Sequence, residues 1–178
     1  MYARSKAGSC WTLLMLLLVL GPVARSRAQT SADRKEVILH SRAVMAEAHT
    51  VFARGQADSA LAMLDDVIRQ DAANPDAYYL KGLIKLSCAD TAGAEASLVE
   101  GTRVAPLSRR IKLLLARVRI EAGKIDEAEE IVNGVMALRP KDFDCRYLQG
   151  LIALARADTT EAITIWESTL AEKLGGGR

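Results

Sequence analysis

The sequence predicts an all-α fold, a solenoid of stacked helix-turn-helix units, and three observations carry that reading. The string Asp76-Ala77-Tyr78-Tyr79-Leu80-Lys81-Gly82-Leu83-Ile84 returns later in the chain as Asp144-Cys145-Arg146-Tyr147-Leu148-Gln149-Gly150-Leu151-Ile152, and half that distance is the period of the whole sequence. An alanine keeps one phase through four successive units, at Ala60, Ala94, Ala128 and Ala162. Self-similarity at that even interval marks an array in which each unit buries its apolar face against the next. The composition agrees. Half of the 178 residues are apolar but only 4% are aromatic, and 12 Gly with 4 Pro are too few for a loop-rich β fold. Packing must therefore rest on Ala, Leu, Ile and Val, which suits close-packed helices in a single domain.

Residues 1–28 read as a signal peptide. Arg4 and Lys6 precede the apolar run Trp11 to Leu20, which ends at Gly21-Pro22, and Ser26-Arg27-Ala28 offers small residues for cleavage before Gln29, with Ala24 as a second position. The expected location is periplasmic or secreted. The alternative is an uncleaved membrane anchor, although a spanning helix needs about 20 apolar residues and this run is roughly half as long. Cys10 lies before the apolar run, whereas a bacterial lipoprotein signal puts its cysteine after it. Without residues 1–28 the chain holds 20 basic against 22 acidic side chains and no continuous basic stripe, which argues against a nucleic-acid partner.

Export would place Cys88 and Cys145 in an oxidising compartment, where paired cysteines tend to bridge. The repeat register puts them two helix layers apart at roughly 10 Å per layer, beyond the ~7 Å between Cα atoms that a disulfide spans. They are read as isolated residues of the core or flank.

In chain order, residues 29–40 form a helical extension, with Asp33 and Glu36 spaced as a capping box. Val37, Ile38, Val44, Met45, Ala48, Val51 and Phe52 then recur at helical spacing until Gly55. Residues 41–74 make the first unit, its second helix running from about Asp58 to Gln70 before Asp71-Ala72-Ala73-Asn74-Pro75. The second unit, 75–108, turns at Cys88-Ala89-Asp90 and stops at Pro106; the third, 109–142, turns at Gly123-Lys124 and stops at Pro140. The fourth, 143–174, turns at Ala157-Asp158 and meets a flexible tail at 175–178.

From residue 41 to residue 174 this pattern resembles the tetratricopeptide repeat family. Ala48, Gly82, Ala116 and Gly150 match the small site where the two helices of a pair cross, and the phased alanines match its counterpart on the second helix. Leu64, Leu98, Val132 and Trp166 match the large apolar site that seals each pair, and Pro106 and Pro140 the terminating proline. There are departures. Ala72 stands where the first unit should carry that proline, Glu47, Lys81 and Gln149 replace a leucine that only Leu115 keeps, and Gly101 replaces an alanine, which costs about 1 kcal/mol in an ordinary helix interior. A related solenoid, Sel1-like or HEAT, is the structural alternative.

The resemblance implies a partner-binding concave surface lined by the first helix of each unit. By register its residues are Met45, His49 and Phe52, then Tyr79, Leu83 and Leu86, then Leu113, Arg117 and Ile120, then Tyr147, Leu151 and Leu154. That lining is mostly apolar and suits an amphipathic helix or an extended apolar peptide. Two alternatives stay open: the chain's own segment 30–40 covers the strip, or the residues are core between neighbouring units. The Lys and Asn clamp with which some family members grip a terminal carboxylate is absent. Arg110 and Arg117 lie seven apart on one helix, placed to meet an acidic group or to remain solvated beside Glu121. Ile163, Trp166 and Leu170 lie on a last helix with no capping helix after it, a candidate docking surface for a second copy or a larger complex.

No catalytic chemistry is legible. A nucleophile elbow, a phosphate-cradling loop, a zinc signature and a paired acid site are all missing, and His40 and His49 are nine apart, a spacing that suits neither a metal nor a base beside a nucleophile. Glu127, Glu129 and Glu130 stand at a helix start, where the dipole favours them. The reading is a non-catalytic protein-binding scaffold of the cell envelope, without cofactor or metal. The alternatives are a structural subunit docking through its last helix, or an enzyme with an unrecognised site.

Overall fold

The computed structural model describes residues 34–175; the leader, Asp33 of the expected capping box and residues 176–178 lie outside them. Two compact units divide at Ala43 and Val44. In the first, residues 34–43 are helical. The second holds the paired helices.

Every described element is a helix. The first, α1, spans 34–53. Then come α2 (Ala57–Gln70), α3 (Pro75–Ser87), α4 (Thr91–Val104), α5 (Arg109–Glu121), α6 (Ile125–Leu138), α7 (Phe143–Ala155) and α8 (Thr159–Gly175). They pair as α3 with α4, α5 with α6 and α7 with α8; α4 then meets α5 and α6 meets α7, while the first helices touch one another directly, α3 with α5 and α5 with α7. The fold is the all-α solenoid that the period predicts, with the first helices forming one continuous wall. One detail differs from the sequence reading. Gly175, placed there in the tail, is the last residue of α8.

The phased small residues explain the pairing. Ala48, Ala60, Ala94, Ala116, Ala128 and Ala162 are wholly buried. At Gly82 an added Cβ would lie 2.6 Å from Leu98 Cγ, and at Gly150 it would lie 2.1 Å from Trp166 Nε1, so a side chain there would have to displace the leucine or the indole that seals the pair. Leu64, Leu98 and Val132 seal their pairs at 0% exposure, while Trp166 lies over Gly150 and donates its indole N–H to the Tyr147 carbonyl at 3.2 Å. Gly101 departs from the sequence expectation of a simple cost. A Cβ there would sit 3.0 Å from Tyr78 Cβ and 3.3 Å from Ile111 Cδ1, so the glycine lets α3 and α5 close on α4.

The turns inside the pairs share one device. Gly55, Ala89, Gly123 and Ala157 stand one period apart and all adopt positive φ, at 82°, 61°, 75° and 64°. Each closes the preceding helix with two reverse bonds. After α3, Ala89 N–H donates to Leu86 O at 3.0 Å and Asp90 N–H to Lys85 O at 2.9 Å; after α7, Ala157 donates to Leu154 O and Asp158 to Ala153 O at 3.0 and 2.9 Å. That is the left-handed Schellman closure, in which glycine is the unstrained residue. The following helices are capped from side chains where the sequence supplies an acceptor: Asp90 accepts from Gly93 N–H at 2.8 Å and Asp158 from Glu161 N–H at 2.8 Å.

Candidate functional site

The wall of first helices carries two adjoining hollows. One, of about 430 Å³, is lined by Met45, Ala46, His49, Asp76, Tyr79, Leu80, Leu83 and Arg110. The other, of about 320 Å³, is lined by Tyr79, Arg109, Arg110, Leu113, Leu114, Arg117, Asp144, Tyr147 and Leu148. Tyr79 and Arg110 belong to both, so the hollows run into one strip. Seven residues along, one helix face repeats, which is why Arg110, Leu113 and Arg117 of α5 reach the same space.

The register residues divide into two sets. His49, Arg117, Tyr147 and Leu154 are exposed, with Tyr147 at 54% and Leu154 at 45%. Leu113 is only 9% exposed and is part of the core between α5, α6 and α7, against which Ile120 and Leu151 also pack. Tyr79, Leu83 and Leu86 pack half-buried on the core of α4 and α5, and Met45 and Phe52 do the same on the core around Ala48 and Leu64. The strip is therefore less apolar at its surface than the register suggests, because all of its aliphatic side chains but Leu154 pack on the cores between helices.

Charged groups occupy the space left. The Arg110 guanidinium stacks over the Tyr79 ring at 4.3 Å from its centroid and donates to Asp76 at 3.4 Å. Arg117 donates to Glu121 one turn on at 3.1 Å. Arg109 donates to both oxygens of Asp142, with Nη2 to Oδ1 at 2.7 Å, and also to Asp144, tying the third unit to the fourth. Asp142 is 8% exposed and caps α7 through the amide N–H groups of Asp144 and Cys145, each at 3.1 Å. The Arg109 guanidinium holds its carboxyl down at about 2, and burial, with Asp142 beside it, pushes the Cys145 thiol up to about 12.

Sequence reasoning missed Asp76, Arg109, Asp142 and Asp144. A signal for part of the set was present. Asp76 and Arg110, which pair, stand one period apart with opposite sign, and Asp144 follows Arg110 at the same phase beside the Asp142 that caps α7. Ion pairs between units also correct two readings of isolated residues. Lys81, a departure from the family leucine, pairs with Asp65 of the preceding unit. Glu129 and Asp126 at the start of α6 receive Arg156 at 2.7 and 2.9 Å, so they tie units together as well as facing a helix dipole.

At the carboxy-terminal end, Ile163 and Leu170 are 47% and 57% exposed. Trp166 is turned into its own pair, where it stacks on Tyr147 with 6.1 Å between ring centroids. Cys88 is exposed and Cys145 buried, both as free thiols.

Tetratricopeptide repeat models match residues 45–87 and 89–154. No curated protein sequence matches the chain. Among solved structures, it is similar to MamA, with a TM-score of 0.65 at 17% identity over 76% of this chain and 80% of that one. It is also similar to TTC0263, a thermophilic TPR protein of Thermus thermophilus, with a TM-score of 0.64 at 13% identity over 74% and 73% of the two chains. A third similar structure is YrrB, described as a TPR protein with an unusual peptide-binding site, at TM-score 0.60 and 17% identity over 75% and 69%. At such identities the likeness is one of fold.

Proposed function

Because the chain belongs to the tetratricopeptide repeat family, we propose that it is a non-catalytic interaction scaffold that holds a peptide or amphipathic helix along its wall of first helices. The observation that carries this is the joined pair of hollows sharing Tyr79 and Arg110, with exposed Tyr147 at one end and exposed His49 at the other. An open strip with an apolar floor and a polar rim is the usual form of a peptide groove. The test is Leu83→Gln with Tyr147→Ser. Helicity should stay, and capture of the chain's peptide ligands should be lost; retention at unchanged affinity would refute the groove.

The envelope location belongs to this proposal and is supported by the charge and apolar layout of residues 1–28. Mass spectrometry of the mature chain should find Gln29, or a residue just after Ala24, at the amino terminus; a start at Met1 would overturn cleavage. A second reading, self-association through α8, is favoured by the exposed Ile163 and Leu170. Light scattering that gives the monomer mass at all concentrations would remove it.

A further inference from the structure

We propose that the hollow between α5 and α7 takes an acidic side chain of the bound peptide, its carboxylate set between Arg110 and Arg117 and the neighbouring apolar residues resting on the leucine floor. This rests on the groove reading above and names the chemistry of its ligand.

Three guanidinium groups reach this hollow, and the structure separates them. Arg109 is already engaged by two carboxylates, those of Asp142 and Asp144. Arg110 and Arg117 are held loosely. Their side chains are 63% and 55% exposed, and each has one carboxylate partner, itself exposed, at 3.4 and 3.1 Å. Exposed pairs of this kind contribute little, so each arginine can exchange its present partner for a carboxylate of a bound peptide at small cost. Stacking on Tyr79 orients Arg110 and leaves the N–H edge of its plane, which holds only the exposed Asp76 at 3.4 Å, turned out for the planar, bidentate geometry that arginine forms with carboxylates.

The floor explains why the acid should be flanked by apolar residues. Leu113, Leu114 and Leu148 are buried beneath the hollow, and Tyr147, braced by Trp166, closes its far side. A peptide residue lying there loses water on its apolar neighbours while its charge meets the rim, and a drier site strengthens the ion pair. A phosphate polymer fits less well. Asp76, Glu121 and Asp144 interrupt the rim, so no basic track continues beyond these two arginines.

The experiment uses a displayed library of random dodecapeptides, sorted on the full chain and on an Arg110→Gln, Arg117→Gln variant. Peptides enriched on the native chain should carry Asp or Glu beside Leu, Ile, Phe or Met. A fluorescein-labelled synthetic copy should weaken roughly tenfold or more when its acid is changed to Gln or when the two arginines are, and both changes together should cost little more than either. Enrichment without acids overturns the inference, as does an acidic peptide that the double Gln variant binds equally well. Tighter binding of a single-stranded RNA through the same arginines does so too. Leu83→Gln with Tyr147→Ser separates the two readings. If that pair abolishes binding while the arginines do not matter, the groove stands and the acidic ligand falls; if no peptide binds the native chain, both fall.

Discussion

Replacing Ala89 and Ala157 by glycine should stabilise the protein. Both alanines close a helix at φ of 61° and 64°, at the phase where the other two units carry Gly55 and Gly123. An L-residue with a Cβ costs about 1–2 kcal/mol in this left-handed conformation. Glycine removes that strain but loses about 0.5–1 kcal/mol more backbone entropy on folding. The net gain is about 0.5–1 kcal/mol per site, or about 1–2 kcal/mol for the double variant, since distant sites add. A domain of this size moves its Tm by roughly 2–4 °C per kcal/mol, well within the resolution of a thermal scan followed by circular dichroism. The reverse substitutions are the control. A Cβ at Gly55 or Gly123 meets nothing within 4 Å, so Gly55→Ala and Gly123→Ala would lower Tm through backbone strain alone. An unchanged or lower Tm in the double glycine variant would refute the argument from turn conformation.

Three further outcomes are expected. Asp142 has a folded pKa of about 2, below its ordinary 3.8; its ion pair therefore adds stability above pH ~4 that is lost as pH falls through the folded value, about 2 kcal/mol in all. Asp142→Asn, which keeps an Oδ1 acceptor for the cap, should be destabilised by that order at neutral pH, and its deficit in urea titrations should shrink toward pH ~2; a deficit independent of pH would refute the ion pair as its source. Gly150→Ala should displace the Trp166 ring, lowering stability by about 1–3 kcal/mol of overpacking less the ~1 kcal/mol that alanine gains in a helix, and should shift the indole emission in a chain without Trp11. In a Cys10→Ser background one thiol, Cys88, should react promptly with an aromatic disulfide reagent while Cys145 reacts only on unfolding; two prompt thiols would show the fourth unit to be open.

The fold class was legible because its determinants repeat. Alanine or glycine at one phase and a large apolar residue at another can be read without coordinates, and Ala60, Ala94, Ala128 and Ala162 are buried for the reason their spacing implies. The candidate site was legible only as a wall. The register placed Leu113 and Tyr147 on one face, since both occupy the same phase, yet one is floor and the other stands in solvent. What separates them is the packing of the next unit on each helix, which no single period contains.

By itself, then, the sequence determined the pairing of helices, the places where they turn and the face their first members share, because these depend on contacts within a unit and recur with every period. Only the tertiary structure decided which of those residues face solvent and which charges are already engaged. Arg109 is bound across 33 and 35 residues to Asp142 and Asp144, while Arg110, its neighbour in the chain, stacks on a tyrosine of the preceding unit. Two adjacent arginines on one helix point different ways, and their surroundings come from units that local pattern cannot weigh against each other.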